Sequence, residues 1–274
     1  MWRAAVLNNQ PRTDEPAVAD GTSPDTVPAL ALAERLAAGS SRALGDLLAS
    51  AILHGSLILG DYVPGQSDVD LLLIVDRPLR RAEIDRLVRV VAGERAHALG
   101  PVDVRVITRD VAAAPPEIPP MELYVRFDPG VDPEIVTHHP GEPDLIVELS
   151  LCRQCGRALV GAPPRELIAE VPDRWVLQAG STQLERWQVL IHDDRNAALM
   201  VLAACRLWCF AETGSHFSKS AAAHWALARD PSLQAVGAAL GRRAGEHRHI
   251  DPSDVAHGLR IAREQIAILE DEPP

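Results

Sequence analysis

Residues 54–75 read HGSLILGDYVPGQSDVDLLLIV, and this stretch decides the fold class. A short apolar segment, residues 51–54, ends at Gly55-Ser56. A loop that contains glycine and proline, residues 60–66, then leads into an apolar run over 68–75, which predicts a buried strand. A turn of small residues and the acidic start of a strand therefore lie one short loop apart.

The acidic residues at the strand start are the first candidates for chemistry. Side chains alternate along a strand, so Asp68 and Asp70 lie on one side, about 7 Å apart. Two carboxylates repel each other unless a cation lies between them, and oxygen ligands at this spacing suit Mg²⁺ or a pair of Mg²⁺ ions. Asp103, on a neighbouring predicted strand, could add a third carboxylate to the same face. At Gly55-Ser56 the small side chains allow phosphate oxygens to approach the backbone N–H groups.

Helices and strands alternate in the first half of the chain. Apolar spacing predicts helix between residues 27 and 50, as one broken helix or two short ones, because Gly39-Ser40-Ser41 interrupts the pattern. A further helix is predicted over 80–99 and a strand over 102–107. The proline-rich residues 113–144 hold only short extended pieces.

From Pro143 onward the pattern is almost wholly helical. The last helix has a clear start, because Asp251 is a favourable N-cap and Pro252 suits the first helical position. The predicted helices span about 143–158, 164–170, 173–191, 194–214, 218–228, 231–245 and 252–271. The predicted organisation is a flexible tail over 1–25, a first domain over 26–140 and a helical domain over 141–274.

Composition and charge limit the class of protein. The chain has 274 residues, of which 47% are hydrophobic and 24% charged, so disorder over the whole length is excluded. A formal net charge of −11 argues against a protein that coats nucleic acid and suits a cationic partner. No apolar run reaches the roughly 20 residues of a membrane span, and the first residues lack the apolar core of a signal peptide. We therefore expect a cytoplasmic monomer without a nucleic-acid or membrane partner.

The acidic strand and the turn before it carry a family resemblance. Their pattern of Gly-Ser, loop, Asp-x-Asp and later carboxylate resembles the nucleotidyltransferase superfamily related to DNA polymerase β. Over roughly residues 30–270 the chain also resembles the streptomycin/spectinomycin adenylyltransferase family. The further motifs that carry this resemblance are residues 159–163 (LVGAP), Arg206-Leu207-Trp208, Thr213-Gly214, Ser218-Lys219, Ala222 and Trp225-Ala226.

This resemblance implies a fold and a set of site residues. It implies an α/β plus all-α architecture, in which a nucleotidyltransferase domain with a mixed β-sheet precedes a helical bundle that closes the cleft. It also implies Mg²⁺ as cofactor and ATP as co-substrate. The implied roles are metal ligation by Asp68, Asp70 and Asp103, general base for Asp103, and nucleotide or triphosphate contacts for Gly55, Ser56, Ser67, Arg206 and Lys219.

Two positions depart from the family pattern. The family's base is usually Glu, whereas Asp103 is one methylene shorter, so either the hydroxyl sits closer or a different residue helps. Close relatives carry an acidic residue about ten positions before Arg206, at a position where carboxylates would face the cationic groups of a small antibiotic. The candidate acceptor contacts in this chain are Asn196 at that position, Asp193 and Asp194 one turn earlier, and Glu122.

The leading hypothesis is an antibiotic-resistance enzyme that transfers AMP from ATP to a hydroxyl of an aminoglycoside-type antibiotic and releases pyrophosphate. A second hypothesis keeps this chemistry but uses a protein hydroxyl or an RNA end as the acceptor. A third is a non-catalytic nucleotidyltransferase-fold module that binds a nucleotide or a partner, as in toxin–antitoxin systems. Loss of an acidic residue would favour the third, but Asp68, Asp70 and Asp103 are all present.

Overall fold

A computed structural model describes residues 25–94 and 100–270, with side chains described as far as residue 267. The strands are β1 Leu48–His54, β2 Val69–Val75, β3 Val102–Thr108, β4 Met121–Phe127, β5 Glu134–His139 and β6 Arg157–Gly161. The helices are α1 Val27–Leu44, α2 Arg81–Gly93, α3 Arg109–Ala113, α4 Pro143–Cys155, α5 Pro164–Leu167, α6 Asp173–Gln188, α7 Ala197–Thr213, α8 Lys219–Arg229, α9 Gln234–Arg243 and α10 Pro252–Glu270. Short 3₁₀ turns, Gly45–Leu47 and Gly55–Leu57, flank β1.

The six strands form one sheet in the order β5-β4-β3-β2-β1-β6. Strands β2 and β3 are parallel and the other neighbours are antiparallel, so the predicted mixed sheet is confirmed. Alternation sorts the side chains onto two faces. Leu71 and Leu73 lie in an apolar core with α1 and α2, whereas Leu72 and Ile74 lie in a second core with the C-terminal helices. The sheet therefore lies between two helical layers.

Helix α7 is the centre of the C-terminal bundle. It packs against α6, α8, α9 and α10, and most of its side chains are buried. The last helix begins as predicted, because Asp251 accepts a hydrogen bond from the Ser253 backbone N–H at 2.8 Å. None of the helices described combines the length and apolarity that crossing a membrane requires.

The predicted interruption near Gly39 is wrong, because α1 runs unbroken from Val27 to Leu44. A Cβ at position 39 would lie 2.7 Å from Cγ1 of Val90 on α2, so the missing side chain lets the two helices approach closely. The predicted helix over 27–50 also ends early, since β1 already begins at Leu48.

The chain from Pro143 onward is less helical than predicted. Helix α4 ends at Cys155, and Arg157–Gly161 forms β6, which pairs with β1 at the sheet edge. The sheet thus takes its last strand from beyond residue 140. Helix α2 ends at Gly93, and the remainder of its predicted span, like the predicted tail, falls largely outside the described residues.

The start of α2 supplies a test of stability against pH. Glu83 accepts hydrogen bonds from the Arg77 guanidinium and the Arg80 backbone N–H, which lower its pKa to about 2. This stabilisation is present above the ordinary Glu pKa near 4.5 and is lost as pH falls towards 2. We expect Glu83→Gln to lower Tm at pH 7 by about 2–4 °C, as for loss of one helix cap.

Thermal melts of both proteins between pH 7 and pH 3 check this expectation. The Tm difference should shrink steadily below pH 4.5. Asp85→Asn is the control, because Asp85 lies on the same helix in an exposed pair with Arg81. A difference that stays constant down to pH 3 would contradict the role of the Glu83 charge.

Candidate active site

A cavity of about 390 Å³ lies between the sheet and the C-terminal helices. It brings together seven of the residues that the sequence singled out, from four places in the chain. These are Gly55 and Ser56 after β1, Ser67, Asp68 and Asp70 at the start of β2, Arg206 on α7 and Lys219 at the start of α8.

The turn after β1 requires glycine for two reasons. Gly55 has φ +71°, a conformation that side chains rarely adopt, and a Cβ there would lie 2.0 Å from Oδ2 of Asp70. Next to it, the Ser56 Oγ is buried and has no hydrogen-bond partner among the described residues. Ser67 Oγ accepts a bond from the Val63 backbone N–H at 3.0 Å and so closes the loop between the turn and β2. The turn therefore presents an unsatisfied hydroxyl beside the acidic strand.

The carboxylates lie on adjacent strands, as predicted. Asp70 pairs in register with Asp103 of β3 and with His54 of β1. Burial, together with the nearby charges of Asp68 and Asp103, raises the pKa of Asp70 to about 7. Arg126 of β4 lies close to this group, with Nη1 3.0 Å from Oδ2 of Asp68. The site thus concentrates negative charge that protein cations only partly balance.

Asp103 is held within the sheet. Its Oδ1 accepts a bond from Nε of Arg105 at 3.3 Å, and its Oδ2 accepts one from the Tyr124 hydroxyl at 3.0 Å. Arg126 Nη1 is 3.6 Å from Oδ2 as well. Asp103 is not among the residues that line the cavity. Within residues 25–94 and 100–270, no three His, Cys, Asp or Glu side chains converge closely enough to hold a metal ion in this arrangement.

The opposite side of the cavity is cationic. Burial lowers the pKa of both Arg206 and Lys219, and the nearby Arg206 and Arg243 lower that of Lys219 further. The side chains of Arg206 and Lys219 have no hydrogen-bond partner among the residues described, so their charges are available to an anion. Lys219 is also the one lysine in the sequence, where every other member of the 27 Lys and Arg residues is Arg.

Arg243 and Asp61 are site residues that the sequence did not reveal. Both line the cavity, although they lie far apart in sequence. Asp61 accepts hydrogen bonds from the Ser220 hydroxyl at 2.7 Å and its backbone N–H at 3.1 Å, and Arg243 Nη2 lies 3.1 Å from Oδ2. The loop before β2 is thereby tied to the start of α8 and the end of α9.

Removal of the Asp61 contacts with Ser220 and Arg243 should lower the affinity for the substrate. Asp61→Asn removes the charge that Arg243 and the start of α8 share, so the cavity should close less tightly. If this cavity binds ATP, as the family resemblance implies, the KM for ATP should rise about tenfold, the scale of one lost charge-assisted bond. Asp230→Asn is the control, because Asp230 also binds a serine, Ser232, but does so within one exposed loop. An unchanged KM in Asp61→Asn would show that the Asp61 contacts do not shape the nucleotide site.

Helices α4 and α6 supply further residues of the cavity. Asp144 and Glu148 lie one turn apart on α4, and Gln183 and Trp187 line the cavity from α6. Burial raises the pKa of Asp144, and the nearby Glu142 raises it further. Sequence periodicity predicted both helices, but it did not show which of their faces meets the sheet.

The residues predicted to contact the acceptor are not brought to this cavity. Asp193 accepts a bond from the Asn196 side chain at 2.7 Å, and Asp194 pairs with Arg242 at 2.5 Å. Asn196 lines a neighbouring cavity beside Arg126, Arg195 and Arg242. Glu122 accepts a bond from the Leu79 backbone N–H at 3.0 Å, away from the main cavity.

Comparisons with known proteins agree with this architecture. Residues 39–123 match the family description "Nucleotidyltransferase domain", and residues 166–246 match "Aminoglycoside adenylyltransferase, C-terminal domain". A protein of Klebsiella pneumoniae named "Aminoglycoside (3'') (9) adenylyltransferase" is 31% identical over 219 residues, which cover 73% of this chain and 81% of that protein. A Rhizobium radiobacter protein of the same name is 30% identical over 196 residues, 65% of this chain and 71% of its own.

A solved structure shares the fold. The crystal structure of spectinomycin adenyltransferase AAD(9) from Enterococcus faecialis with ATP and spectinomycin superposes with a TM-score of 0.69. It covers 87% of this chain and 99% of its own, at 16% sequence identity. The order of a sheet domain followed by a helical bundle is therefore common to both proteins.

Proposed function

The chain belongs to the aminoglycoside adenylyltransferase family, and from this premise we propose that it transfers AMP from ATP to a hydroxyl of a streptomycin- or spectinomycin-like antibiotic. As a member of that family it is an ATP-dependent nucleotidyltransferase. The proposal adds the acceptor class, the release of pyrophosphate and the roles of individual residues.

The observation that carries the proposal is the separation of charge across the cavity. Buried carboxylates gather at the start of β2, where the pKa of Asp70 is raised to about 7. Cations gather on the facing helices, where the pKa values of Arg206 and Lys219 are lowered. Each side thus holds like charges that a ligand of the opposite sign would stabilise. A triphosphate with its accompanying cation supplies both signs.

The nucleotide would be held from both domains. The unsatisfied Ser56 hydroxyl and the open backbone at Gly55 suit phosphate oxygens, since no side chain blocks their approach. Arg206 and Lys219 would bind the phosphates that leave as pyrophosphate, and Arg243 is close enough to assist. Ser67 would contribute by holding the loop that ends at Asp68.

The residues present fit a divalent cation at the start of β2. Carboxylate oxygens are the ligands that Mg²⁺ prefers, and burial together with the charges of Asp68 and Asp103 raises the pKa of Asp70, an effect that a bound cation would oppose. Asp68 and Asp70 would hold the ion, with Arg126 as the cation that balances Asp68 in its absence. A bound Mg²⁺ would supply charge neutralisation at the phosphates.

The chain's own residues then have separable tasks. AMP transfer requires the acceptor oxygen to attack the α-phosphate in line with the departing pyrophosphate. The cations of α7 and α8 fix the triphosphate, which sets this line of attack. The half-enclosed cavity limits the access of water as a competing acceptor. A cavity carboxylate takes the hydroxyl proton as the new oxygen–phosphorus bond forms.

The acceptor would enter between α4 and α6. Asp144 and Glu148 give this part of the cavity two carboxyl groups, whose ionised form a cationic acceptor would stabilise, and Trp187 offers a flat apolar surface. An aminoglycoside carries several positive charges on a compact ring system, so it suits both features. The net charge of −11 would add long-range attraction for such a cation.

Pyrophosphate release tests the proposal directly. Purified protein is mixed with Mg-ATP and, separately, with streptomycin, spectinomycin and a panel of other aminoglycosides. Release that depends on one of these acceptors supports the proposal and identifies the substrate. ATP binding without release for any of them would instead favour a protein or RNA acceptor, or a non-catalytic module.

A further inference from the structure

The carboxylate best placed to take the acceptor's proton lies on α4, not in the sheet. Both oxygens of Asp103 already accept hydrogen bonds, one from Arg105 and one from Tyr124. The side chain is 11% exposed and does not line the cavity. An acceptor hydroxyl would have to displace one of these partners to reach it.

Glu148 is in the opposite situation. It lines the cavity, and its side chain keeps 23% of its surface exposed. Its Oε1 pairs with Nη1 of Arg105 at 2.7 Å, whereas its Oε2 has no hydrogen-bond partner among the described residues. Oε2 itself is buried, and a buried acceptor without a donor costs free energy, which a substrate hydroxyl would recover once the carboxyl group turns this oxygen towards the cavity.

One guanidinium connects the two carboxylates. Arg105 binds Asp103 through Nε and Glu148 through Nη1, and its charge lies 5.2 Å from the centre of the Tyr124 ring. Asp103 and Tyr124 thereby fix Arg105, and Arg105 fixes Glu148. This chain of contacts makes Asp103 a positioning residue for Glu148, the carboxylate that lines the cavity.

From this geometry we infer that Glu148 is the general base of the transfer reaction. The inference rests on the proposed function, because it needs a hydroxyl acceptor. The acceptor oxygen forms a bond to the α-phosphorus while the bond from that phosphorus to the bridging oxygen of pyrophosphate breaks. The hydroxyl proton passes to the Glu148 carboxylate, and the electron pair of the broken bond leaves with pyrophosphate.

The electrostatics of α4 support this assignment. Burial raises the pKa of Glu148, Arg105 lowers it and the charges of Asp103 and Asp70 raise it, with a net value of about 8, so the proton-accepting carboxylate form gains population as pH rises through that value. The assignment also accounts for the short side chain at position 103. The hydroxyl does not need to reach Asp103 if Glu148 approaches it from the helical side.

The test compares Glu148 and Asp103 by chemical rescue. With the acceptor that supports release in wild type, Glu148→Gln should lower kcat by about 100-fold or more, the usual share of a general base. The KM values for ATP and acceptor should stay within about threefold, and calorimetry should show ATP binding as in wild type. Glu148→Ala should regain turnover when formate is added, because a small carboxylate can occupy the space of the lost one. Asp103→Ala should not respond to formate.

Controls separate this inference from the proposed function. Glu142→Gln removes one charge from the start of α4, outside the cavity, and should keep kcat within about twofold. Wild-type kcat in Glu148→Gln, or formate rescue of Asp103→Ala alone, would overturn the assignment and leave the proposed function standing. No acceptor-dependent release by the wild-type protein would overturn both.

Discussion

Asp70→Asn should abolish AMP transfer while the fold stays intact. The two side chains have the same shape, so the substitution removes the charge and one strong metal-ligand oxygen without opening a cavity. Because Asp70 lines the cavity and lies between Asp68 on its own strand and Asp103 on the neighbouring strand, no neighbour can replace it. We expect acceptor-dependent pyrophosphate release to fall by about 1,000-fold or more, the scale of removing one preorganised electrostatic group.

The fold of the variant can be checked independently. Its Tm without nucleotide should be at least that of wild type, since asparagine removes one of three carboxylates that repel each other. Asp76→Asn is the matched control, because Asp76 directly follows β2 at its other end and pairs with Arg109 in solvent. Turnover above about a tenth of the wild-type value in Asp70→Asn would exclude the acidic strand as the centre of the chemistry.

The acidic strand shows how far the sequence could predict the site. Gly55, Asp68 and Asp70 belong to one short segment, whose alternation and turn residues are readable without knowledge of the partner strands. Placing Asp103 near Asp70 required only the prediction of one further strand. The parallel register of β2 and β3 confirms that Asp103 lies beside Asp70. Local patterns therefore predicted the sheet side of the cavity.

The errors in the predicted fold have a different cause. Gly39 was taken to break a helix, but its lack of a side chain serves packing against Val90, which is 51 residues away. Residues 157–161 were predicted as part of a helix and a loop, yet they form a strand because β1 offers an open edge. Both outcomes depend on partners distant in sequence, and a single local pattern contains no information about them.

The same limit applies to the acceptor side. Asp193 and Asp194 have the expected charge. However, Asp193 accepts a hydrogen bond from the nearby Asn196, and Asp194 pairs with Arg242. On the helical side of the cavity the lining acids are on α4, whose sequence is largely apolar and gave no signal for function. One signal was available elsewhere in the sequence. Lys219 is the single lysine among 27 Lys and Arg residues, which distinguishes its position from all the other basic ones.

That lysine provides the second large effect. Lys219→Met keeps the length of the side chain and removes the charge that, on the proposed function, would face the triphosphate. Burial and the neighbouring Arg206 and Arg243 lower the pKa of Lys219, so its cationic form is held at a cost that a bound phosphate would relieve. We expect the Kd for ATP, measured by calorimetry without acceptor, to rise about 10- to 100-fold, as for the loss of one charge-assisted bond.

Arg229→Met is the control for this effect, because Arg229 ends the same helix with its charge 3.5 Å from the centre of the Trp225 ring, and it pairs with Glu212. Its Kd for ATP should stay within about twofold of wild type. A second readout uses the uniqueness of Lys219. An amine-directed reagent should modify one side chain per protein and inactivate it, and Mg-ATP should protect, because the phosphates would cover the amine. An unchanged Kd in Lys219→Met together with labelling that ATP does not slow would place the triphosphate elsewhere.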